Sequence, residues 1–192
     1  TYYFLKVFEK IIDKNGLKIL DVKLNEINGG SIEIICGHDD SKRNVNNNLI
    51  EDLKNDENKI TKKSFSNFNK RIFKIKNDLR NFLINKKNVF AYGASTKGNV
   101  VLNLCRLSSK ELEFVCDANN KKFGSFTPGS NIEIISKEKM RKIFPKYLLV
   151  LIWSFRKEVI KQEKEYVKSG GNLIFHLPKF HIINKKNYRS YL

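Results

Sequence analysis

The spacing of apolar positions along this chain changes near residue 88, and the two halves predict different architectures. At the start, Phe4, Val7, Phe8, Ile11 and Ile12 share one helical face, entered directly from Thr1-Tyr2-Tyr3-Phe4 and ended by Gly16. Leu17 to Val22 reads as a strand. Gly29-Gly30 then separates it from a second strand, Ser31 to Cys36, where Ile32, Ile34 and Cys36 alternate with Ser31 and Glu33. Residues 37–60, with their Asn46-Asn47-Asn48 run, are polar and read as a long loop with a short helix near Leu49 to Leu53. A long helix over residues 62–86 follows. Phe65, Phe68, Ile72, Ile75, Leu79 and Phe82 form its apolar stripe, expected to pack on a core behind a solvated basic face.

From Asn88 onward the pattern alternates strand and helix. Strands are predicted at Asn88–Tyr92, Leu112–Asp117, Tyr147–Trp153 and Asn172–His176, and helices at Thr96–Leu107, Ser136–Phe144 and Phe155–Ser169. The run Tyr147-Leu148-Leu149-Val150-Leu151-Ile152-Trp153 is apolar without interruption, as a strand covered on both faces requires. The expected class is α/β: a Rossmann-like parallel sheet with helices on both faces, preceded by a helix, a strand pair and a long helix. Residues 1–60 form one expected region and 61–192 the other.

Composition narrows the setting more than the chemistry. A chain of 192 residues with 41% hydrophobic content and 14 phenylalanines buries a full core. No apolar run approaches a membrane span and no secretory segment opens the chain, so the expected setting is cytoplasmic, without a membrane partner. Cys36, Cys105 and Cys116 lack metal spacing, and their odd number suits free, buried thiols. The chain does not begin with Met, and its abrupt helical opening is expected of a piece of a longer protein.

The net charge of +17 suggests nucleic acid. However, the excess is mostly lysine, mixed with abundant Asn and Ile and spread over helices and loops. A basic nucleic-acid-binding module is therefore the weaker alternative.

Ligands of open α/β sheets bind beyond the C-terminal strand ends. That rule gathers Gly93–Asn99, Asp117-Ala118-Asn119, Trp153-Ser154-Phe155 and His176-Leu177-Pro178 on one edge. The loop Lys121–Gly129 leaves the same edge. Gly93-Ala94-Ser95-Thr96-Lys97-Gly98-Asn99 is a strand–turn–helix junction of the kind that aims N–H groups at phosphate. Lys97 opposes the helix dipole by about 0.3–1 kcal/mol, a position that makes sense if an anion visits.

A dinucleotide fingerprint would need glycine where Ser95 stands, and a P-loop would need lysine where Asn99 stands. An NAD(P)-binding oxidoreductase domain is thus an alternative with an obstructed middle position. Asp117 suits either a ribose or sugar hydroxyl or a turn cap. Thr127-Pro128-Gly129 is a turn signature. Trp153 suits either a stacking platform or a core position. His176, without an evident partner, reads as structural.

Taken in order, several motifs resemble the C-terminal domain of the sugar C-methyltransferase family. They are Tyr92-Gly93-Ala94-Ser95-Thr96-Lys97-Gly98-Asn99, Val115-Cys116-Asp117-Ala118-Asn119, Lys122-Phe123-Gly124-Ser125-Phe126-Thr127-Pro128-Gly129, Leu151-Ile152-Trp153-Ser154-Phe155 and Gly170-Gly171-Asn172-Leu173-Ile174. Tyr3-Phe4, Gly16-Leu17, Asp21-Val22 and Gly29-Gly30-Ser31 extend the likeness toward the start of the chain. The family uses S-adenosylmethionine to methylate carbon in nucleotide-linked keto-deoxysugars. The resemblance implies that Gly93, Ala94, Ser95, Thr96, Lys97, Gly98, Asn99, Asp117, Pro128, Gly129 and Trp153 line a site for a nucleotide-linked sugar. It also implies that the catalytic tyrosine and histidine, the S-adenosylmethionine-binding domain and a zinc module lie elsewhere in the polypeptide. Residues 1–60 would pack on or link to that methyl-donor domain, and the chain alone would be inactive.

Overall fold

The computed structural model describes residues 3–192; Thr1 and Tyr2, where the opening helical pattern starts, lie outside the described residues. The chain divides into two compact units, Thr1–Asn69 and Lys70–Leu192.

The first unit contains α1 (Leu5–Asp13), β1 (Leu17–Asn25), β2 (Ser31–His38) and α2 (Asn47–Asn58). β1 and β2 pair antiparallel, with a register irregularity between Ile19 and Asp21. Leu5 and Ile12 of α1, Ile19 and Val22 of β1 and Ile50 of α2 form its core. A two-stranded hairpin is marginal alone, so this helical cover is what stabilises it. Glu57 of α2 accepts the N–H groups of Leu5 and Lys6, meeting the open donors at the start of α1. The short helix expected near Leu49 to Leu53 is present and longer, 12 residues in all. Only Ile50 of α2 is buried, so its polar sequence carried little periodic signal.

The long helix is α3 (Lys62–Leu83). Its stripe is covered only toward its end. Leu79 and Leu83 are buried in the second unit's core, whereas Phe65 and Phe68 are 59% and 52% exposed. The expected core-packing face is therefore present at Leu79, half-covered at Ile72 and Ile75, and absent at Phe65 and Phe68.

The second unit is built on β3 (Val89–Tyr92), α4 (Thr96–Leu104), β4 (Val115–Asp117), β5 (Ile134–Ser136), α5 (Lys137–Ile143), β6 (Tyr147–Val150), α6 (Arg156–Gln162), α7 (Lys164–Lys168), β7 (Asn172–Phe175) and β8 (His181–Ile183). The sheet order is β5-β4-β3-β6-β7-β8, parallel except for β8, which pairs antiparallel with β7 at the edge. β5 and β8 were not expected from the sequence. The single helix expected over Phe155–Ser169 is broken at Glu163, whose φ and ψ of −103° and 25° leave the helical region.

Side chains of β3 alternate across the sheet. Val89 and Ala91 join Leu79 and Leu83 of α3 and Leu102 of α4 on one face. Phe90 and Tyr92 join Met140 of α5, Val159 and Ile160 of α6 and Val167 of α7 on the other. Both faces are therefore dry, which is why these strands read as continuous apolar runs. From β3 the chain winds outward through β4 and β5, then crosses back to β6 and continues through β7. The winding direction reverses between β3 and β6. Beyond their C-terminal ends lies the crevice where such folds bind ligands.

Candidate functional site

β3 leads directly into the Gly93–Asn99 turn, and β6 shapes the turn from beside it. Gly93 has φ +93°, and a Cβ there would stand 2.7 Å from Cγ2 of Ile152. A Cβ on Gly98 would stand 3.0 Å from Cβ of Leu151, so α4 approaches the β6 segment at van der Waals distance. The two glycines thus serve conformation and helix–strand packing.

Most of the turn's N–H groups are engaged internally. Gly93 donates to the Cys116 carbonyl at 2.8 Å, Ser95 to the Gly93 carbonyl at 2.9 Å, and Asn99 to the Ser95 carbonyl at 2.9 Å. Ala94 donates to Asp117 Oδ2 at 2.8 Å, and Gly98 to Oγ of Ser95 at 3.0 Å, the latter an N-cap of α4. A ligand approaching the turn therefore meets the exposed Thr96 and Lys97 on the first turn of α4, not a ring of open amides.

Asp117 adopts the turn-capping alternative. Its Oδ1 accepts the Asn119 N–H at 2.8 Å, and its Oδ2 accepts Ala94 N–H and lies 3.3 Å from Nζ of Lys122. Lys122 Nζ also donates to the Ala94 carbonyl at 2.8 Å. Both backbone polar groups of Ala94 are thus bound by this acid–base pair. Each carboxylate oxygen accepts at least one of these hydrogen bonds, so Asp117 braces the turn.

Pro128 and Gly129 reach α4 through Asn103. The Asn103 Nδ2 donates to the Asn99 carbonyl at 2.8 Å and to the Pro128 carbonyl at 3.0 Å. Gly129 has φ +76°, and a Cβ there would fall 2.2 Å from Asn103 Oδ1. The Oγ1 of buried Thr127 accepts the Ile132 N–H and lies 2.6 Å from Ser130 Oγ, which fixes the loop. The fold therefore gathers the turn, Asp117, Pro128 and Gly129 on the β3–β4 side. Trp153 stands on the β6 side in a 3₁₀ turn, half-buried against the core.

Tyr92, the last residue before the turn, is held from the other face. Its hydroxyl lies 3.0 Å from Oε1 of Glu163 and 3.1 Å from Oε1 of Gln162. Glu163 is 1% exposed and takes a two-pronged contact from Arg141, Nη2 at 2.7 Å and Nε at 3.0 Å. Burial, reinforced by Glu163, pushes the Tyr92 phenol well above its ordinary range. This network anchors the strand end.

The sequence did not signal Asn103 as a contributor to this edge, because its partner Pro128 is distant along the chain. His176 was singled out as structural. It is 1% exposed at the end of β7, with neither ring nitrogen in a hydrogen bond. Burial lowers its pKa to about 4, partly countered by the nearby Val150 backbone. Asn99 Oδ1 and Arg156 Nε are also buried without partners. Among the described residues no group of three His, Cys, Asp or Glu side chains could hold a metal ion. No described helix is long and apolar enough to cross a membrane.

Over residues 26–178 the chain matches the family described as the C-methyltransferase C-terminal domain. The chain belongs to this family. A relative, the C-methyltransferase NovU of Streptomyces niveus, is 29% identical over 193 residues, covering 97% of this chain and 46% of the relative. The chain therefore spans about half the length of the curated relative it matches. Family membership leaves the NAD(P)-oxidoreductase and nucleic-acid alternatives without support.

Proposed function

We propose that this C-methyltransferase C-terminal domain holds a nucleotide-linked sugar for an S-adenosylmethionine-dependent sugar C-methyltransferase. The reading rests on family membership over a segment that contains both sides of the β3/β6 crevice. Lys97, Thr96 and Ser95 at the turn, with Asn99, Pro128, Gly129 and Trp153 around it, would contact the diphosphate and sugar. Asp117 would act by holding the turn. When bound, S-adenosylmethionine supplies a methyl group on a sulfonium, and zinc would sit in a separate module. Among the described residues no group of three His, Cys, Asp or Glu side chains could hold the zinc, and by the family resemblance both groups would belong to other segments of the enzyme.

Carbon methylation beside a ketone requires a base to remove the α-proton and stabilisation of the enolate. This domain would contribute by fixing the remote diphosphate, which orients the reacting carbon and lowers the entropic barrier. The chain alone would bind substrate weakly and catalyse nothing.

Equilibrium binding of a panel of nucleotide-linked sugars, to the wild-type chain and to Lys97→Ala, tests the reading. Binding by the wild type, weakened about tenfold by Lys97→Ala, is expected for loss of one charged phosphate contact. Equal binding by both proteins would remove Lys97 from the site. Absence of wild-type binding to every nucleotide-linked sugar would overturn the reading.

A further inference from the structure

Two arginines of the second unit contrast in their partners. Arg141 is closed on Glu163 in a two-pronged ion pair. Arg156 forms no ion pair among the described residues, although it is half-buried and its Nε has no hydrogen-bond partner. Burying part of a guanidinium without an acid costs free energy unless something else compensates.

The compensation visible here is aromatic. Arg156 Cζ lies 5.5 Å from the ring centroid of Tyr191. Tyr191 stacks on His181 with centroids 5.4 Å apart and planes at 14°, and His181 stacks on Phe175 at 5.3 Å and 13°. Phe175 is fully buried in β7, so the stack runs from the sheet core to the guanidinium. His181 Nδ1 sits 2.7 Å from the Lys179 carbonyl, which fixes the imidazole within the stack. An arginine held by its face against a ring keeps its terminal N–H groups for phosphate or carboxylate oxygens.

Position supplies the second part of the argument. Arg156 follows the C-terminal end of β6, and the Gly93–Asn99 turn follows the end of β3. These are the two strands on either side of the point where the winding reverses. Arg156 and Lys97 thus lie on the segments that follow the two strands flanking the reversal point. The engaged amides of the turn make a second source of donors necessary for a doubly charged group.

We propose that Arg156 is a diphosphate-binding residue of this crevice and that Tyr191 positions it through the Phe175–His181–Tyr191 stack. The inference rests on the nucleotide-linked sugar reading and names the arginine fork as the group that takes the phosphate oxygens.

The test is titration of the full chain with inorganic pyrophosphate, uridine 5′-diphosphate, uridine and the panel of nucleotide-linked sugars. Wild type should bind the diphosphate far more tightly than uridine. Arg156→Gln should weaken pyrophosphate and diphosphate binding by roughly ten- to a hundredfold, as expected for a lost charged contact, and leave uridine unchanged. Arg156→Lys, which keeps the charge and loses the fork, should fall between. Tyr191→Leu should weaken binding in the wild-type background and have no further effect in Arg156→Gln, a coupling that a merely structural role would not produce. Tyr191→Phe keeps the ring and should bind like the wild type. If Arg156→Gln and Arg156→Lys both bind pyrophosphate within twofold of a wild type that binds nucleotide-linked sugars, this inference fails and the broader reading stands. If the wild type binds neither pyrophosphate nor any nucleotide-linked sugar, both fail.

Discussion

Asp117, the last residue of β4, accepts the Ala94 N–H at 2.8 Å, so the turn after β3 is fixed by the neighbouring strand. Lys122 closes the arrangement by donating to the Ala94 carbonyl. Removing the carboxylate strands two donors, Ala94 N–H and Asn119 N–H, and leaves Lys122 without its counter-charge. Asp117→Ala should therefore destabilise the second unit by about 1–3 kcal/mol in urea unfolding. Asp117→Asn should cost less, since its amide keeps one acceptor oxygen. A wild-type-like unfolding midpoint for Asp117→Ala would show that the turn holds its shape unaided.

Gly93→Ala adds two costs at once, a residue at φ +93° and an overlap with Ile152. Each is worth about 1–3 kcal/mol, so a combined loss of about 2–6 kcal/mol is expected. Gly124 provides the control. Its φ is +76°, but a Cβ there meets nothing within 4 Å, so Gly124→Ala should carry only the backbone cost. The comparison separates packing from conformation, and equal losses for the two variants would contradict the packing argument.

Glu163 stands where the expected single helix breaks into α6 and α7, and its carboxylate meets Arg141 and Tyr92. Glu163→Ala would leave the Arg141 guanidinium without its acid and the Tyr92 hydroxyl with Gln162 alone. A loss of about 2–4 kcal/mol is expected, reduced from that of a fully buried pair because Arg141 is partly solvated. Replacing both Glu163 and Arg141 with Met should recover part of that loss, because no unpaired charge remains. A double variant less stable than Glu163→Ala would assign the pair a positive role that this account denies it.

What the sequence revealed of this fold followed from burial. The β6 segment was legible because both faces of the sheet are covered, which forces Leu148, Leu149 and Val150 to be apolar together. β5 and β8 are three residues each, too short for a period to show. The turn at Gly93 was legible because glycine, serine and the following helix lie consecutively. The contacts that complete the candidate site join Asn103 to Pro128, Asp117 to Ala94 and Arg156 to Tyr191. Each such contact depends on how strands are ordered, and no local pattern carries that order. The helix stripe misled at Phe65 and Phe68 for a related reason: periodicity shows which face is apolar but not how far a core extends beneath it.

His176 makes stability depend on pH in one direction. Its pKa falls from 6.5 to about 4 on folding because the imidazole is buried, so the unfolded chain binds the proton more tightly. Between those two values the unfolded state carries more protons, and stability must fall as pH falls. The contribution is intact above about pH 6.5 and is lost progressively toward pH 4. From pH 7 to pH 5 the group should remove about 2 kcal/mol from the unfolding free energy. The variant His176→Leu has no proton to bind in either state, so its stability should decline less over the same interval. Urea unfolding of both proteins at pH 7 and pH 5 checks this, and equal declines would place the ring in contact with water.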